Sequence, residues 1–73
     1  MATHRVLDAS GHSEHVFDPG NPVALATARH RFETLTGHGY RAAALRADGI
    51  HALLKTFDPL VEHTMFIPPM QGG

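Results

Sequence analysis

The segment Asn21-Pro22-Val23-Ala24-Leu25-Ala26-Thr27-Ala28-Arg29-His30-Arg31-Phe32-Glu33-Thr34-Leu35-Thr36 has a helical period, and the fold class turns on it. Leu25, Ala28, Phe32 and Leu35 recur at three- and four-residue spacing. That spacing draws one apolar stripe along a helix over residues 22–36. Asn21 is suited to bond the free amides of the first turn, and Pro22 to the first helical position, where no donor is needed. Arg29, His30, Arg31 and Glu33 are expected to cover the other sides, and Gly37 and Gly39 are both placed to stop the helix.

Outward from this helix the chain reads as strands. On the N-terminal side, residues 3–8 and 13–17 are expected to form a hairpin about Ala9-Ser10-Gly11-His12. Asp18-Pro19-Gly20 then breaks the second strand. On the C-terminal side, residues 40–46 and 50–57 read as two strands about Asp48-Gly49, a strong turn dipeptide. A single helix over 42–56 is the rival, because three alanines favour it by propensity. Phe57-Asp58-Pro59 repeats Phe17-Asp18-Pro19, and both read as strand exits in which Asp accepts from the local backbone. Leu60 to His63 fits a turn. Residues 64–67 are a final strand, with Met65 and Ile67 expected to point inward. The result is an α+β fold: one helix on one face of a small mixed sheet of four to five strands.

A chain of 73 residues is one small domain that buries only ~60% of its unfolded surface. Its 42% hydrophobic content supplies one core layer and no deep cavity, so an enzyme is not expected. Without cysteine there is no disulfide, thiolate site or thiol nucleophile. A net charge of −1 gives no basic footprint for nucleic acid. No apolar run approaches the ~18 residues of a membrane span, and no signal-like segment precedes the first strand; a cytoplasmic protein is expected.

Seven histidines invite a metal reading that their spacing does not support. No pair lies at i, i+4 on the helix, and there is no His-Glu-x-x-His. His12 and His15 are read as spanning a turn, with Glu14 on the other face. Ser10 and Ser13 are expected to bond locally near that turn. Ser13, His15 and Asp18 are close in sequence, which is not catalytic geometry.

The remaining signal is Phe66-Ile67-Pro68-Pro69-Met70-Gln71-Gly72-Gly73: an apolar strand, two prolines without backbone donors, and a diglycine read as the chain end. Pro68 and Pro69 make a stiff spacer, so residues 1–67 are read as the domain and 68–73 as an extended tail. This ending resembles the small molybdopterin-synthase subunit and related sulfur carriers. The element order is similar to their β-grasp fold and to that of ubiquitin. The chain also looks like bacterial ubiquitin-like proteins encoded beside E1-like, E2-like and JAB-type isopeptidase genes.

The resemblance implies a partner-dependent chemistry. An E1-like enzyme holding ATP and Mg would activate the Gly73 carboxylate. Gly72, Gln71 and Met70 would lie in its channel, while Phe66, Pro68 and Pro69 would face it. No cofactor or metal would bind this chain itself. Conjugation to target proteins is the reading that the resemblance favours, and a C-terminal thiocarboxylate for cofactor biosynthesis is the alternative. A small interaction domain that pairs through a sheet edge is the third. Lys55, the one lysine, would be the internal site for self-conjugation.

Overall fold

The computed structural model describes residues 1–46, 48–49 and 51–69. Five strands and one helix follow in the order β1 (Ala2–Asp8), β2 (Gly11–Phe17), α1 (Pro22–Gly37), β3 (Arg41–Leu45), β4 (His51–Leu54) and β5 (His63–Ile67). The strands form one mixed sheet, ordered β2-β1-β5-β3-β4. Neighbours pair antiparallel except β1 and β5, which run parallel at the centre. The fold is therefore α+β, a helix on a five-stranded mixed sheet.

Local chemistry sets the helix limits. Asn21 Oδ1 accepts from the Val23 and Ala24 amides at 3.0 and 3.2 Å, with Pro22 next to the cap. At the other end His38 is the cap, and Gly39 adopts φ +92°. The two Asp-Pro exits are alike: Asp18 Oδ1 accepts from Gly20 N and Asp58 Oδ1 from Leu60 N, each at 2.9 Å. These side-chain-to-backbone bonds are what Asp supplies in a turn.

The core lies between α1 and one face of the sheet. Ala28 and Phe32 of α1 are buried, with Leu25 and Leu35 packed beside them. Facing them are Ala2 and Val6 of β1, Phe17 of β2, Ala42 of β3, Leu54 of β4 and Phe66 of β5. Alanines at 42 and 44 leave depth under the helix, and Phe66 fills it with 0% exposure. This corrects the expected facing of β5: Thr64 and Phe66 point inward, while Met65 is half-buried and Ile67 exposed. Register is the cause. Phe66 stands opposite Ala42 and beside Val6, both on the helix side, and a strand alternates faces at every residue.

Three further expectations change. β4 ends at Leu54 rather than 57, because Phe57 turns into the core against Phe17, Phe32 and His4. β2 begins at Gly11, so His12 and His15 share a strand, and Glu14 lies on the face of His12, opposite His15. Arg31 is half-buried and reaches His4.

His4 is the polar member of the core. It is 2% exposed, and its ring meets Phe17, Phe66 and Phe57 edge-on at centroid distances of 4.9, 5.0 and 6.0 Å. The Arg31 guanidinium lies 3.5 Å from its Nδ1. Burial, then the Arg31 charge and the neighbouring His15, lower its pKa to about 4. The folded chain thus holds His4 neutral, whereas the unfolded chain binds a proton near pH 6.5. Stability from this site is complete above that value and falls as pH drops toward 4. Urea unfolding should show the parent losing roughly 2 kcal/mol more than His4→Gln between about pH 7.5 and pH 5. Equal losses would refute the assignment.

Candidate functional site

The sheet face away from α1 is open. Alternation places on it Thr3, Arg5 and Leu7 of β1; His12, Glu14 and Val16 of β2; His63, Met65 and Ile67 of β5; Arg41, Ala43 and Leu45 of β3; and His51 and Leu53 of β4. Its centre is apolar. Ala43 stands directly across from Met65 on one side and Leu53 on the other, and it is only 4% exposed beneath these larger neighbours. Leu45, Ile67 and Leu53 are exposed at 39%, 40% and 69%. A shallow depression lined by Thr3, Arg5, Leu45, His63 and Met65 sits beside them.

Charge lies around this apolar centre. Arg5 is in register with Glu14 and bonds it, Nε to Oε1 at 3.0 Å. Arg41 stands across from Ile67 at the end of β5 from which the tail departs. An exposed apolar group with a polar rim is the usual composition of a protein-docking surface.

The tail begins where this face ends. β5 stops at Ile67, and the prolines follow as their missing donors require. Pro68 is half-buried and Pro69 exposed. Together with Asp8, Ala9, His38 and Tyr40 they line an open groove at the C-terminal end of α1. Asp8 accepts from both Ser10 N and Ser10 Oγ, at 2.8 and 2.7 Å, and these bonds hold its carboxyl below the usual carboxylate range. Met70, Gln71, Gly72 and Gly73 lie outside the described residues.

Phe66 does not belong to the surface. It is core, in ring contact with His4 and Phe32, so a role facing a partner is corrected. The face-forming residues of β5 are Met65 and Ile67, the pair that the sequence reading had turned inward. Lys55 is exposed just beyond β4 and lines a depression with Arg29, Glu33, Thr36 and Thr56 on the helix side.

The other candidate groups do not converge. Ser13 Oγ lies 3.5 Å from His15 Nε2, while Asp18 is engaged in its own turn. His15 is held below the ordinary histidine value by burial and by Arg31. No cluster of three or more His, Cys, Asp or Glu suited to a metal occurs among the described residues. No helix among them is long and apolar enough to cross a membrane. No family model matches the chain, and no curated protein or solved structure matches it significantly.

Leu45, Leu53 and Arg41 escaped the sequence reading as surface candidates. Their signal was the alternation of 41–45 against 51–54, usable only once the register was known. The two-sided character of β5 gives a direct test. Phe66→Ala should cost about 3–5 kcal/mol in urea unfolding. Ile67→Ala should cost less than about 1.5 kcal/mol because its side chain is partly solvated. The reverse order would place the wrong face of β5 inward.

Proposed function

We propose that this chain is a β-grasp, ubiquitin-like protein modifier, activated at the Gly73 carboxylate by an E1-like adenylating enzyme. The observation that carries the reading is the central, parallel placement of β5 beside β1. It puts the strand that leads into Pro68-Pro69 in the middle of an open, apolar-centred face. Strand order and the single helix are similar to the β-grasp arrangement, which supports the finer fold name. A partner docked on Leu45, Leu53, Met65 and Ile67 would meet the tail at the end of the same face.

In this reading the chain supplies only a carboxylate. ATP and Mg belong to the partner, and the chain is a substrate rather than an enzyme. One oxygen of Gly73 attacks the α-phosphate; the bond to the β-phosphate oxygen breaks and pyrophosphate leaves. A partner cysteine thiolate then attacks the acyl carbon of the adenylate and expels AMP, giving a thioester. The amine of a target lysine takes the acyl group, releases the thiol and loses a proton, leaving an amide. An E2-like protein would carry the thioester, and a JAB-type isopeptidase would hydrolyse the product. Glycines at 72 and 73 suit a narrow channel because neither carries a Cβ. Gln71 and Met70 would follow them into it. Lys55, exposed on the helix side, is the internal acceptor for self-conjugation. A cytoplasmic location fits this set of partners.

Intact mass decides the reading. The chain, with Gly73 as its carboxyl terminus, is incubated with ATP, Mg and the E1-like enzyme encoded closest to its gene, with and without sulfide. An adduct through Gly73 to a protein cysteine or lysine is expected, and deletion of Gly72 and Gly73 should abolish it. One oxygen-to-sulfur exchange would make the chain a sulfur carrier instead. An unchanged mass with an enzyme active on another substrate would favour an interaction domain.

A further inference from the structure

The end of α1 and the root of the tail meet at one residue. Tyr40 N donates to Leu35 O at 3.0 Å, and Gly39 N to Thr36 O at 3.1 Å. This bond pair, with Gly39 at φ +92°, is the Schellman termination of a helix. Tyr40 and Leu35 pack on the same core cluster, as often accompanies that motif. The chain leaves the cap directly into β3, whose antiparallel pairing with β5 includes Arg41 opposite Ile67. Two residues further in each direction, that register sets Gly39 opposite Pro69.

The approach is close. A Cβ added at Gly39 would lie 3.3 Å from Pro69 Cβ and 3.5 Å from its Cγ. A side chain here would be strained by the backbone conformation and would press Pro69 back by a few tenths of an ångström. His38, Tyr40, Pro68, Ala9 and Asp8 complete the groove around the contact.

We propose that Gly39 is a positioning residue for the tail: the helix cap forms a seat for Pro69 and so fixes the direction in which the chain leaves β5. Its consequence for activation rests on the modifier reading above; the seat itself does not. Gly39, unlike Pro68 and Pro69, is not among the residues read as facing the partner. A seat disturbed at Gly39 should leave partner affinity in place and slow delivery of the carboxylate.

The test uses the full chain with Gly39→Ala, Pro69→Gly and the double variant. NMR of the parent should show contacts between Gly39 Hα and the Pro69 ring protons. ATP–pyrophosphate exchange with the same E1-like enzyme should show kcat reduced about tenfold or more in Gly39→Ala, with KM within about twofold. Since that variant leaves the tail sequence untouched, altered tail stiffness would not account for the loss. The double variant should be no slower than the worse single one, because both break one contact. Absent contacts in the parent, an unchanged kcat or multiplying effects would overturn the proposal. If Gly39→Ala fails to fold, Pro69→Gly carries the test: the Gly39 and Tyr40 amide shifts must move while those of β2 hold. Contacts present without any pyrophosphate exchange would uphold the seat and count against the modifier reading.

Discussion

Everything in this fold depends on the parallel pairing of β1 with β5. A hairpin cannot make that pairing; the intervening chain must leave the sheet and return. The helix is what makes the crossing stable. It lays Ala28 and Phe32 over the central strands and closes the core across the seam. The side chains at the seam then determine what else is possible. Phe66 packs with the small Ala42 opposite it, and His4 packs against the rings of Phe17, Phe57 and Phe66. A neutral histidine among three phenylalanines, with a guanidinium at its edge, is a costly arrangement unless the proton stays off.

Local signals in the sequence were easy to read, and long-range ones were not. Asn21-Pro22 and Gly37 to Gly39 mark the helix because capping is a matter of adjacent residues. The two Asp-Pro exits were equally plain, each an aspartate bonding two residues on. The facing of β5 was not legible, since Thr64-Met65-Phe66-Ile67 is apolar enough on both sides to suit either. Only the pairing with β3, where Ala42 stands opposite Phe66, decides it. Phe57 misled for a related reason: a large apolar residue after Leu53-Leu54 extends the apparent strand, although its ring reaches the core from a bend.

The candidate site was legible as a tail and illegible as a surface. Prolines and glycines announce themselves in sequence because their backbone chemistry is unlike that of any other residue. A docking face is assembled from residues on several strands, and each of Leu45, Leu53 and Met65 is unremarkable alone. The same division separates the histidines. His4 and His63 both lie in central strands, yet one is sealed in the core and the other lies exposed on the open face.

Strand order also shows where the sheet is divided. β1 and β2 are adjacent in sequence and pair as one hairpin, and β3 and β4 pair as another. In the described sheet the two hairpins are joined through β5 alone, which pairs with β1 on one side and β3 on the other. Without β5 each half would be a two-stranded hairpin, marginal on its own. The sheet closes only when residues 63–67 pair on both sides, so one short strand holds the two halves of the sheet together.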